Sequence, residues 1–307
     1  MELVQFDWTL YWFMFPIAMC VATIAMLSGI GGAAMFAPIF MIIFPILGPD
    51  YPFENIAAAI GVALLTEVFG FSSGFIGYYR KRLIDYKSAV PFILIGVPIG
   101  IFGALLLTTF KDFEEVLRGI YGSLMLILSV ILIRQDKSVS NLNNDTADVE
   151  LINNSEKEII SIIDRHGATY KYSKPVQKLG GKIATSVGSF LTGLLGVGIG
   201  EVVMPQLAKH NGVPIPVAAA TSVFVVIVVV AAASFTQISS LVAQGGLKAV
   251  PWNVVIYTIP AVIIGGQIGP RLQGRVSQHT MERAIGYLFL IIGIAMSFIA
   301  ARNTFFV

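Results

Sequence analysis

Two carboxylates and two glycine clusters stand inside sequence that is otherwise almost wholly apolar. Glu67 lies mid-run in Leu65-Thr66-Glu67-Val68, and Glu201 directly follows Thr192-Gly193-Leu194-Leu195-Gly196-Val197-Gly198-Ile199-Gly200. The other cluster is Ser28-Gly29-Ile30-Gly31-Gly32, leading into Ala33; Pro38 and Pro205 follow the two clusters. A helix restarting near Ala33 or Gly200 presents free N–H groups and the positive end of its dipole. Two such ends meeting would bind an anion with no buried lysine, and glycine lets a ligand approach the backbone closely. The candidate binding residues are therefore Ser28, Gly29, Gly31, Gly32 and Ala33 in one half and Gly196, Gly198 and Gly200 in the other. Thr221 and Ser222, in a long apolar run, could donate hydrogen bonds to the same ligand. The competing explanations are that small residues merely let helices pack and that the hydroxyls bond their own helix backbone.

Ionisable groups inside a membrane are costly and functional by default, which makes Glu67 and Glu201 candidates for proton coupling. For Glu201, a first-turn glutamate favoured by the helix N-terminus explains the residue equally well. Glu67 has no such local explanation, and its alternative is a structural hydrogen bond to a neighbouring helix. A carboxylate beside an anion site would repel the anion, so Glu201 must work protonated or point away.

The elements that position these residues follow from hydropathy. The chain of 307 residues is 56% apolar and 12% charged, with a mean hydropathy of +0.80, against about a quarter charged in soluble domains. Thirteen of the 38 charged residues fall between Gln135 and Lys178. A bilayer core of about 30 Å needs roughly 20 apolar residues per helix. Ten segments are expected near 9–28, 33–47, 55–78, 88–108, 116–133, 180–195, 200–209, 214–242, 252–270 and 282–301. Two of them, 33–47 and 200–209, are short; each follows a glycine cluster and contains a proline. This is a polytopic all-α membrane protein.

The halves also repeat. Besides the glycine clusters, Ala57-Ala58-Ala59 matches Ala218-Ala219-Ala220, Ser73 matches Ser234, Pro98 with Gly103 matches Pro260 with Gly265, and Arg118 matches Arg283. Five segments per half is an odd number, so the second half is expected inverted, a recurring layout of transporters with broken helices. The expected organisation is a first repeat over 1–134, a polar linker over 135–178 and a second repeat over 179–307, together a 5+5 inverted-repeat bundle. Lys and Arg concentrate on cytoplasmic loops. Placing the loop with Arg80, Lys81, Arg82 and Lys87 inside leaves 16 of the 20 basic residues there. That puts both termini outside and the linker in the cytoplasm. The linker reads as a solvated connector, with enough isoleucine in its second part for a small ordered element.

Several classes are disfavoured. No basic, aromatic-laced surface segment suggests nucleic acid. One cysteine, Cys20, and scattered histidines (His166, His210, His279) make a dedicated metal site improbable. No P-loop or His-Glu-x-x-His is present. No cofactor is expected, and the oligomeric state is not legible.

At the quoted residues the chain resembles a known family. Leu27-Ser28-Gly29-Ile30-Gly31-Gly32 with Pro38, the run Leu191 to Gly200 with Pro205, and Ala218-Ala219-Ala220-Thr221-Ser222 are similar to the sulfite exporter TauE/SafE family. The resemblance implies a duplicated permease, in a bacterial inner membrane, for small sulfur-containing anions such as sulfite, sulfonates or sulfoacetate. It carries a ligand role onto Gly31, Gly32, Gly198, Gly200, Thr221 and Ser222. Ile60-Gly61 stands where the second repeat has Thr221-Ser222, so the half-sites are chemically unequal. Two other readings remain: a proton or cation transporter using Glu67 and Glu201, and an integral-membrane enzyme with one of them as acid/base.

Overall fold

The structure, a computed structural model, describes residues 7–51, 53, 55–109, 113–134, 159–165, 167–272 and 278–305. The first part of the linker and His166 lie outside the described residues. The first half comprises α1 (Met14–Ser28), α2 (Ala33–Pro38), α3 (Phe44–Leu47), α4 (Ile56–Lys81), α5 (Tyr86–Thr109) and α6 (Glu114–Ile133). Strands β1 (Ile159–Ile163) and β2 (Thr169–Ser173) form an antiparallel hairpin with Ile159 opposite Ser173. The second half comprises α7 (Leu179–Leu195), α8 (Ile199–Pro205), α9 (Ile215–Gly245), α10 (Trp252–Leu272) and α11 (Gln278–Phe305). Among the described residues six helices are long and apolar enough to cross a membrane, those of α4, α5, α6, α9, α10 and α11. Every expected segment is helical. The first begins at Met14 rather than near residue 9, because residues 8–13 form turns.

Both short segments are built alike. Ser28 and Leu195 end α1 and α7, and the next residues, Gly29 (φ +72°) and Gly196 (φ +80°), adopt the left-handed conformation. Their N–H groups donate to Ala25 O and Thr192 O, the helix ending that glycine supports best. Each chain restarts within a few residues and meets a proline, Pro38 or Pro205, followed by a π-helical stretch, Ile39–Ile43 or Gln206–His210. Proline cannot donate and crowds the carbonyl four residues back, and the wider π turn absorbs the mismatch. For Pro38 that carbonyl belongs to Ala34, and it accepts a hydrogen bond from Tyr121 Oη at 3.1 Å. The structural correspondence is Gly29 with Gly196 and Pro38 with Pro205. Thr192, aligned with Ser28 on sequence, sits a full turn before the second break.

The two halves interlock. α1 packs along α10 and α5 along α7; α4 packs on α10 and α5 on α9; α4 meets α9, and α6 meets α11. Glycine makes the close approaches. Gly103 touches the backbone of α7 at Phe190 O, and its sequence match Gly265 touches the backbone of α1 at Met19 O. Without a hydrophobic drive between helices in lipid, such backbone contact supplies the packing energy.

The two ends of the bundle differ. At one, Tyr11, Phe13, Phe40, Phe44, Tyr51 and Phe53 stack around α3, and Tyr257 Oη donates to Trp8 O. At the other lie the α4–α5 turn, the hairpin and the 206–214 segment. The hairpin is docked there rather than merely solvated. Arg165 N donates to Lys81 O at 3.2 Å, and buried Tyr172 donates its phenol to Asp85 Oδ2 at 2.8 Å. Asp85 also caps α5, accepting from Ser88 N and Ser88 Oγ.

Candidate functional site

Both breaks lie in the core and touch each other. A Cβ added to Gly200 would sit 3.2 Å from Gly29 O and 3.2 Å from Gly31 N, and one on Gly196 would sit 3.2 Å from the Ala33 Cβ. Ser28, Gly29, Gly31, Gly32, Ala33, Gly196, Gly198 and Gly200 are thus brought together, all buried. The hydroxyls beside the breaks serve the backbone. Ser28 Oγ accepts from Ile30 N at 3.2 Å, and Thr192 Oγ1 accepts from Ile199 N at 2.7 Å.

The two glutamates occupy the free N–H groups. Glu67, 3% exposed, reaches from mid-α4 so that Oε2 accepts from Ala33 N at 2.8 Å. Glu201 bends back so that Oε2 accepts from Gly198 N at 3.0 Å, while Oε1 accepts from Gly31 N of the other half at 3.3 Å. Glu201 therefore does not point away from the break; it bridges the two. The carboxylates cap related backbone from unrelated positions, one on the following long helix and one in the first turn of α8. Neither has an ion-pair partner among the described residues. Tyr121, fully buried against the first break through Ala34 O, shares the electrostatic surroundings of both carboxylates. Its sequence offered no signal, because a tyrosine in an apolar span reads as packing.

Thr221 and Ser222 are placed differently. Thr221 Oγ1 accepts from Asp85 N at 3.0 Å, which ties α9 to the α4–α5 turn and commits the hydroxyl there. Ser222 Oγ is buried with no hydrogen-bond partner among the described residues. The matched serines also diverge: Ser73 Oγ donates to Ile263 O at 2.6 Å and meets Gln267, whereas Ser234 Oγ has no described partner. Gln237 crosses between helices, donating to Ala104 O and Gly193 O at 3.2 and 3.4 Å. Arg118 pairs with Glu114 and Glu115 on its own helix, and Arg283 is exposed. Among the described residues no cluster of His, Cys, Asp and Glu could hold a metal ion.

A multi-pass helical bundle with paired broken helices meeting in its core defines a membrane transporter. The sulfite exporter TauE/SafE family matches residues 14–296, and the chain belongs to that family. It is 26% identical over 274 residues to the probable membrane transporter protein YunE of Bacillus subtilis, covering 88% of this chain and 91% of that one. A probable membrane transporter protein of Methanocaldococcus jannaschii is 20% identical over 286 residues, covering 90% and 91%. No solved structure matches the chain. The family and both relatives are named for membrane transport and not for an enzyme activity.

Proposed function

We propose that the protein moves small sulfur-containing anions, of the sulfite, sulfonate or sulfoacetate type, by alternating access around the contact between its two glycine breaks, and that protons travel with them. The observation that carries this reading is the capture of Ala33, Gly31 and Gly198 N–H groups by the carboxylates of Glu67 and Glu201. A carboxylate is itself a small oxyanion, and it fills the positions an oxyanion substrate would take. Substrate and ionised glutamate compete for one set of donors, so the substrate binds when the carboxyl group takes up a proton and releases the backbone. Anion binding and protonation are then linked, and neither moves without the other.

The halves act as inverted repeats. The helix pairings support this, since exchanging the halves turns α1–α10 into α7–α5 and α4–α10 into α9–α5 while leaving α4–α9 and α6–α11 in place. The end bearing the hairpin faces the cytoplasm in a bacterial inner membrane, in keeping with Arg80, Lys81, Arg82 and Lys87 at that end.

The test is flux into proteoliposomes under an imposed pH gradient, offering sulfite, thiosulfate, sulfate, taurine, sulfoacetate and a carboxylate control. Saturable uptake of a sulfur oxyanion that collapses with the gradient is expected. Glu201→Gln, whose amide is a weaker acceptor and cannot ionise, should leave uptake independent of the gradient. Two carboxylates without a described cation favour one second reading, a proton or cation transporter. It predicts cation-dependent flux that added anions do not change.

A further inference from the structure

A cavity of about 520 Å³ opens where the hairpin meets the α4–α5 turn, lined by Tyr79, Arg80, Arg82, Ile84, Tyr86 and Arg165. We propose that this cavity binds a phosphate-bearing organic anion, held between the turn and the hairpin. The concentration of basic residues on one side of a membrane explains Arg80 and Arg82. It does not explain their convergence with Arg165, which arrives from the hairpin more than eighty positions along the chain. Two hydrogen bonds position it, Arg165 N to Lys81 O and Tyr172 Oη to Asp85 Oδ2. The neighbouring acids have other duties: Asp164 Oδ1 accepts from Ala168 N at 2.9 Å, and Asp85 is bound by Ser88 and Tyr172. Among the described residues the three guanidinium groups have no ion-pair partner, which leaves their donors open to an incoming anion.

Arg82 adds a second sign. It closes α4 at φ +58°, the one non-glycine residue with a left-handed backbone among those described. Glycine or asparagine would meet that conformation at lower cost.

The chemistry of the walls selects the ligand. Guanidinium groups pair with phosphate through two parallel hydrogen bonds. The volume falls within the range of small-molecule sites, about 300–1,000 Å³, so the phosphate carries an organic body. Tyr79 and Tyr86 offer ring surface for it, being 62% and 44% exposed. Tyr79 stacks on Phe75 and Tyr86 meets Phe224 edge-on, and the rings of Phe75 and Phe224 lie 5.7 Å apart. Phe224 follows Thr221 by one turn of α9, so the pocket wall is continuous with the helix that packs on α8. A ligand joining Arg165 to Arg80 and Arg82 would fasten the hairpin to the turn. A phospholipid headgroup and a soluble phosphorylated molecule share this chemistry.

The full-length protein in phosphatidylcholine nanodiscs, followed by hydrogen exchange of residues 159–173, separates the sources. Inorganic phosphate and adenosine monophosphate are titrated in one arm, and phosphatidylglycerol is added to the nanodisc in the other. Saturable protection by a soluble phosphate identifies a soluble ligand, and protection by phosphatidylglycerol alone identifies a lipid headgroup. In either case Arg165→Ala and Arg80→Gln should each weaken the effect at least tenfold, while Arg165→Lys retains part of it. Arg165→Ala keeps the backbone N–H that docks the hairpin, so loss of binding cannot be ascribed to undocking. Absence of protection by all three probes, or protection unchanged in both variants, overturns the proposal.

Discussion

At the residue scale, the proposed site turns on which atoms hold the free N–H groups of the breaks. Gly31 lies against both carboxylates. A Cβ there would lie 3.1 Å from Glu67 Oε1, closer than ordinary contact, and 3.7 Å from Glu201 Oε1, so even alanine presses on the Glu67 carboxylate. Gly31→Ala should lower flux by an order of magnitude or more with the protein still inserted and monodisperse, checked by uptake alongside size-exclusion chromatography. Gly198 is unsuitable for the same purpose. It sits at φ +143° with a would-be Cβ 2.5 Å from Gly188 O, and any side chain there strains the fold itself. Tyr121→Phe removes the donor that satisfies the Ala34 carbonyl freed by Pro38. Hydrogen bonds between membrane helices average about 0.6 kcal/mol, so a stability loss on the order of 1 kcal/mol is expected in thermal unfolding. If Glu67→Gln and Glu201→Gln both still accumulate substrate against its gradient exactly as the parent protein does when protons drive it, the coupling role is refuted.

At the element scale, the hairpin is the piece whose behaviour can be isolated. Its attachment rests on Tyr172, buried to 3% exposure. Burial, then the hydrogen bond and charge of Asp85, push the Tyr172 phenol well above the usual tyrosine range. The neutral phenol is the form that the fold favours. This contribution is therefore fully present below about pH 10, where an unfolded tyrosine ionises, and is lost as pH rises beyond it. The Tyr172 phenol should accordingly hold the hairpin across the physiological range and release it in strong alkali. Tyr172→Phe should speed hydrogen exchange of 159–173 by roughly ten- to a hundredfold, for a bond to a charged group worth about 1.5–3 kcal/mol, while exchange in α5 and α9 changes little. The broken helices were visible as elements in the sequence, since glycine and proline mark them locally. Their π turns were not, because a proline marks a fault in the hydrogen-bond ladder without saying whether the helix kinks, breaks or widens to absorb it.

At the scale of the whole molecule, the prediction concerns sidedness and symmetry. A cysteine at Ser161 in the hairpin and another at Leu247 in the α9–α10 turn, both exposed, should label from opposite sides in intact cells, Ser161 only after permeabilisation. Labelling of both from one side would remove the inverted topology. The exchange-symmetric helix pairings are what the proposed inverted topology requires, and rocking one set of contacts against its counterpart is how the proposed alternating access would work.

Sequence by itself determined the ten helical segments, the two glycine breaks, the proline after each, and the family. All of these rest on local composition and on residue order along one strand of chain. The pairing of Glu67 with Ala33, of Glu201 with Gly31 across 170 positions, of Thr221 with Asp85 and of Arg165 with the α4–α5 turn was decided only in three dimensions. The reason is physical: a buried hydrogen-bonding group takes whichever partner the packing of helices brings within about 3 Å, and hydropathy carries no record of that neighbour. Thr221 makes the point most directly. Its type and its place in an apolar run suited a ligand contact, yet the fold spends its hydroxyl on a turn from the other half.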